Sequence, residues 1–86
     1  MNDADSTRER IIRHLIAASD EEIDASQVTD QTSLRKDLDL SSLQAVTLVM
    51  DLEDEFGVTI EDEEIESLET VGEVLAVVNR KLEELG

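Results

Sequence analysis

The chain has 86 residues, enough for one domain with a single modest core, and a formal net charge of −16. It contains no cysteine, no proline and one aromatic residue, Phe56, so disulfide staples are excluded and the core must be built from Leu, Ile, Val and Ala. No apolar run reaches the length of a membrane span, and the polar start "MNDADSTRER" has no apolar leader core, so a soluble, cytoplasmic protein without stable membrane insertion is expected.

In chain order, "STRERIIRHLIAAS" comes first. Ser6 and Glu9 have capping-box spacing, and Ile11, Ile12, Leu15 and Ile16 recur at helical intervals, which predicts a helix over about residues 6–19. His14 belongs to this helix and is expected at a solvent-facing or boundary position. A long polar connection follows, in which Ile23, Val28, Leu34, Leu38 and Leu40 can pin the chain to a core. Its length argues for one or two short turns, placed near Ser33–Lys36.

Ser41 with Gln44 forms a second capping-box pattern, opening a helix through "SLQAVTLVMDLEDEF" that stops at Gly57. "VTIEDEEIESLET" has room for a short helix over about 61–67, with Ile60, Ile65 and Leu68 inward. Thr70 with Glu73 caps the last helix, whose apolar face is Val71, Val74, Leu75, Val78 and Leu82 and which ends near Leu85. The expected fold is all-α: a small four-helix bundle of three main helices plus a short third one, with a long first loop, in one domain spanning 1–86.

The second predicted helix carries more apolar surface than one core needs. At about 100° per residue, Ala45, Leu48, Val49, Leu52 and Phe56 fall on one stripe. Leu43, Val46 and Met50 form another, roughly 140° away, flanked by Glu53 and Asp54. Either this second stripe packs under the long loop, Leu43 being nearest to it, or it faces water and meets a partner.

From Asp37 to Asn79 there are thirteen Asp and Glu and no Lys or Arg. Such a surface repels nucleic acid and anionic membranes and attracts basic protein patches. A calcium loop in "DLEDEFGVTIED" is rejected, because its sixth position is Phe56 instead of glycine and its last is Asp62 instead of a bidentate glutamate.

Two serines stand side by side in "DLDLSSLQAV". Ser41 sits where an N-cap belongs. Ser42 is then the first helical residue, a hydroxyl at the positive end of the helix dipole, where a phosphate is stabilised. With His14 on another helix and no base nearby in sequence, a Ser–His nucleophile is not indicated, and the chain does not read as an enzyme. Ser42 reads as a hydroxyl modified by another protein, or simply as the second of two helix-start serines.

The run "LDLSSLQAVTLVMDLEDEFGVTIEDEEIESLETVGEVLAVV" resembles the acyl carrier protein family across nearly the whole chain. The resemblance rests on Ser-Leu at a helix start, the acidic "LEDEFG", "I-x-D-E-E" and "TVGEVLAVV" taken together. It implies a 4′-phosphopantetheine arm attached to Ser42, carrying acyl groups as thioesters. It also implies that Leu43, Val46, Met50, Glu53 and Asp54 lie on the helix that enzymes recognise. A phosphopantetheinyl transferase would direct the Ser42 hydroxyl to the β-phosphate of coenzyme A, with magnesium bound only during that transfer.

Further implied partners are synthetases that load acyl groups onto the carrier (acyl–acyl-carrier-protein synthetases) or acyltransferase or ketosynthase-type enzymes with basic docking patches, met by a monomeric carrier of fatty-acid, polyketide or related acyl groups. No resident metal is implied. The chain departs from the family in having Ser-Ser-Leu for Asp-Ser-Leu: Ser41 keeps the cap and loses the charge, leaving Asp39 as a nearby carboxylate. Thr47 stands where the family commonly has Glu. Both departures suggest a specialised member. An aminoacyl or peptidyl carrier of the same fold and an unmodified acidic helical adaptor are the alternative readings.

Overall fold

A computed structural model describes residues 3–19 and 22–85, with side chains from Thr7 onward. Among these residues the elements are α1 (Asp3–Ala18), a 3₁₀ turn (Ala25–Gln27), α2 (Ser42–Phe56), α3 (Asp62–Glu66) and α4 (Val71–Leu85). The all-α, four-helix expectation holds, including the short third helix and the long first loop.

One boundary differs. The α1 helix starts at Asp3, so Ser6 lies inside the helix and does not cap it as the Ser6–Glu9 spacing suggested. The capping-box pattern is local, and a helix can extend through it when upstream residues also adopt helical backbone angles. The other two boxes form. The Ser41 side chain accepts from the Gln44 amide at 3.1 Å and the Gln44 side chain accepts from the Ser41 amide at 2.8 Å. Thr70 and Glu73 exchange the equivalent bonds at 3.3 and 3.1 Å at the start of α4. At the far end of α2, Gly57 adopts φ +66° and its amide returns to the Glu53 carbonyl at 2.8 Å. That is the left-handed stop for which glycine is suited.

The core is aliphatic. Ile11 and Leu15 of α1, Leu48, Val49 and Leu52 of α2, and Val71, Val74 and Val78 of α4 meet at its centre. Each of these larger side chains contributes about 2 kcal/mol by leaving water. Val28, Leu34, Leu38 and Leu40 from the long loop and Ile60 after α2 close it, as their apolar character in polar segments implied, and Val58 joins them. Ile23, Ile65 and Leu68 are half-buried at its margin.

The loop after α1 is ordered by α4. The amides of Val71 and Gly72, which begin α4 and have no intrahelical partner, donate to the carbonyls of Thr32 and Asp30 at 3.0 and 2.8 Å. Leu34 donates in return to the Glu69 carbonyl at 2.9 Å, and an isolated antiparallel bridge joins Ser33 to Thr70. The expected turn near Ser33–Lys36 is present over residues 34–37. Here the Ser33 hydroxyl caps the Lys36 amide and Asp37 accepts from the Ser33 amide at 2.7 Å. This stitching brings the 33–40 segment alongside the first turn of α2.

Candidate functional site

The start of α2 is built from both serines, with different duties. The Ser41 oxygen is spent on the Gln44 amide. Gln44 also donates to the Ala18 carbonyl at 3.2 Å, fastening the first turn of α2 to the end of α1. Ser42 has no such task. It is exposed, in the first helical position, and its Oγ accepts a hydrogen bond from Arg35 Nη2 at 2.9 Å. Two residues before the cap, Asp39 is exposed with φ +53°. This left-handed conformation is uncommon outside glycine, and Asp tolerates it better than most.

Beside Ser42 opens a cleft of about 720 Å³ between the 33–40 segment, α2 and α3. Leu34, Leu40, Ala45, Val46, Ile65 and Leu68 form its apolar wall, with Arg35 and Lys36 on one rim and Glu66 and Glu69 on another.

The second apolar stripe of α2 is uncovered. Leu43 is 75% exposed, Met50 59% and Val46 40%, whereas Leu48, Val49 and Leu52 are buried. The loop therefore does not pack on this stripe, and Leu43, where loop cover was most expected, is the most open of the three. The loop is occupied elsewhere, with Leu34, Leu38 and Leu40 turned into the core. Asp54 continues the ridge and is exposed. Glu53 flanks it on the side of Val46, is half-buried, and gives its carboxylate to the Ile60 amide at 3.0 Å, so it also holds the turn between α2 and α3. Thr47 is exposed and donates back to the Leu43 carbonyl at 3.0 Å, the usual use of a mid-helix threonine.

Charges are arranged on two sides. Glu55 at the end of α2 pairs with His14 at 3.0 Å and with Arg10 at 3.4 Å. The hydrogen bond to His14, with the nearby charges of Arg10 and Arg13, holds its carboxyl below the usual value. His14 is half-buried, the boundary position expected, and far from any role at Ser42. Arg10 also lies over the Phe56 ring, 5.7 Å from its centroid. Glu64 of α3 is bound by Lys81 at 2.9 Å and by Arg80, which together depress its pKa and tie α3 to the end of α4.

The contact of Arg35 with Ser42 was not legible in the sequence. Arg35 precedes Ser42 by seven residues across a turn, and no periodicity connects the two positions. The only signal was its place at the border of the base-free stretch.

A four-helix bundle with an exposed hydroxyl on the first turn of a helix and an apolar ridge running away from it has the arrangement expected of a small helical carrier of a phosphopantetheine group. The residues present fit that group: the Ser42 hydroxyl is exposed, and the side chain against it, Arg35, is a cation, not a carboxylate.

Comparison with known proteins agrees. Residues 11–78 match the family model described as "Phosphopantetheine attachment site". The chain is 44% identical over 78 residues to the acyl carrier protein of an Exiguobacterium species, covering 88% of this chain and 99% of that one. Among solved structures it is similar to the acyl carrier protein of Enterococcus faecalis, with TM-score 0.77 and 33% identity over 91% of this chain and 96% of that one. It is also similar to the acyl carrier protein of the actinorhodin polyketide synthase of Streptomyces coelicolor, solved in a hexanoyl form, with TM-score 0.78 and 25% identity, covering 91% and 92%. The chain belongs to the acyl carrier protein family, whose members carry a covalent 4′-phosphopantetheine and present acyl intermediates to enzymes.

Proposed function

We propose that Ser42 is the residue that receives the arm, within a single carrier domain spanning 1–86. The observation that carries this is the division of labour at the helix start: Ser41 is consumed by the cap, and Ser42 is left exposed with its oxygen free of backbone duty. In the transfer, a bond forms between Ser42 Oγ and the β-phosphorus of coenzyme A while the pyrophosphate P–O bond breaks. The adenosine bisphosphate leaves, and the hydroxyl proton passes to the transferase. Magnesium accompanies the coenzyme in that step only, and Asp39 offers an exposed carboxylate two residues before the cap. The arm supplies the thiol that this cysteine-free chain lacks.

Leu43, Val46, Met50 and Asp54 form the docking ridge, with Glu53 at its edge. A small apolar strip on an acidic surface suits brief, electrostatically steered visits to basic patches. Its partners are the transferase, acyl–acyl-carrier-protein synthetases and acyltransferase or ketosynthase-type enzymes, met by a monomer in the cytoplasm; among the described residues, no helix is long and apolar enough to cross a membrane. Catalysis belongs to those enzymes, and this chain carries. The kinship with carriers named for acyl cargo favours fatty-acid or polyketide intermediates over aminoacyl groups.

The test is intact-mass measurement after incubation with coenzyme A and a broad-specificity transferase. Wild type and Ser41→Ala should gain one pantetheine mass and Ser42→Ala none; a gain in Ser42→Ala would refute the assignment.

A further inference from the structure

Arg35 is an unusual cation in this chain. The molecule has 23 acidic residues, and Arg8, Arg10, Arg80 and Lys81 all pair with carboxylates, while Arg13, Arg35 and Lys36 have no ion pair among the described residues, and of these three only Arg35 is bonded to Ser42. Its guanidinium rests on the neutral hydroxyl of Ser42. Its position is built, not incidental. The turn that carries it is held by Leu34 and Leu38 in the core and by the Ser33, Asp37 and Glu69 hydrogen bonds. Leu40 donates back to the Leu34 carbonyl at 2.9 Å, closing the segment on itself beside the start of α2. The residue before Ser42 is uncharged, and its oxygen is engaged in capping, so Ser41 places no carboxylate there to claim the guanidinium.

A guanidinium has five N–H donors in a planar fork, and one bond to a hydroxyl leaves the rest available. An ester on Ser42 would bring anionic phosphate oxygens two bonds beyond the atom Arg35 already touches. Arg is the side chain best shaped to grip two such oxygens together. Lys36, the adjacent cation, offers only a point charge and makes no bond to Ser42.

We propose that Arg35 is the phosphate anchor of the prosthetic arm, its guanidinium engaging the non-bridging oxygens of the Ser42 phosphodiester and holding the root of the arm at the mouth of the neighbouring cleft. This rests on Ser42 as the attachment residue. It makes Arg35 a positioning residue, one that limits where the first bonds of the arm point while the thiol end stays free to swing.

The test uses the full chain, loaded from coenzyme A, as wild type, Arg35→Gln, Arg35→Lys and Lys36→Gln. Intact mass and peptide mapping first establish loading at Ser42; absence of loading there overturns the attachment reading and the anchor with it. On loaded protein, the phosphorus NMR line and the Arg35 Nε–H signal are then read. The anchor predicts that the Arg35 signal shifts on loading. It also predicts that the phosphorus line moves and narrows in Arg35→Gln, with Arg35→Lys intermediate and Lys36→Gln like wild type. Loaded wild type and Arg35→Gln giving the same phosphorus shift and line width would overturn the anchor while leaving attachment intact. An equal effect from Lys36→Gln would also overturn it, by showing only general charge.

Discussion

The amide of Gly72 donates to the carbonyl of Asp30 at 2.8 Å, and nothing separates the first turn of α4 from the long loop at that point. A Cβ on Gly72 would lie 3.0 Å from both the Cβ and the carbonyl oxygen of Asp30. Gly72→Ala gains helix propensity but must push the loop backbone away. A net loss of about 1–3 kcal/mol is expected from overpacking, read as a lower urea midpoint. Gly57→Ala is the contrasting case: open space surrounds it, and its cost of about 1 kcal/mol comes from φ +66° alone. Equal stability of Gly72→Ala and wild type would show that the loop yields freely.

The two serines should separate in stability as well as in loading. Ser41→Ala removes one half of a capping box and should cost about 1 kcal/mol. Ser42→Ala should change stability by no more than about 0.5 kcal/mol, as for an exposed residue without a structural bond to the backbone. Chemical denaturation of both variants checks this, and the reverse order would mean that the cap is misassigned.

Leu43→Ala and Met50→Ala should leave the fold intact, because both side chains are exposed. If the ridge is the docking face, each weakens binding to a partner enzyme by about tenfold, the scale of an interface anchor. Raising ionic strength should slow association steeply in wild type and variants alike. Calorimetry and stopped-flow association measure the two effects, and an association rate indifferent to salt would contradict steering by the acidic surface.

Glu55 and Glu64 have folded-state pKa values below their ordinary 4.5, Glu55 chiefly through His14 and Glu64 chiefly through Lys81. A depressed carboxyl contributes stability above its unfolded pKa and loses it as pH falls through the folded value. Stability should therefore decline on acidification from about pH 5 downward, although relief of charge repulsion in this acidic chain opposes the fall. Glu64→Gln should flatten the decline and loosen α3 from α4. Urea midpoints across that pH range provide the measurement, and an unchanged slope would show that these pairs do not hold the fold.

The cleft beside Ser42 also sets an expectation for cargo. An acyl chain resting there would touch Leu40, Ala45, Val46, Ile65 and Leu68. Longer chains should then slow amide exchange in α2 and α3 and leave the later turns of α4 unchanged. A chain that instead wedges the core between α2 and α4 would alter both of those helices, and exchange insensitive to chain length would rule out sheltering altogether.

How far the sequence carried this protein depended on whether the controlling interactions were local. The helices, the boxes at Ser41 and Thr70 and the stop at Gly57 were all readable, because each depends on spacing of a few residues. The start of α1 was misplaced for the same reason: Ser6 and Glu9 match a cap locally, but nothing in their spacing says whether Asp3 and Ala4 join the helix. Two stripes on α2 were visible from periodicity alone, and the split between a capping Ser41 and an exposed Ser42 followed from cap chemistry.

Tertiary structure decided the rest. The exposure of Leu43, Val46 and Met50 depended on where the loop went, and the loop follows α4, whose unpaired first amides it satisfies. Packing likewise set the use of Glu53 on Ile60 and the meeting of Arg35 with Ser42. Helical periodicity reports which side chains share a face, but it carries no information about which distant segment arrives to cover that face or leave it bare.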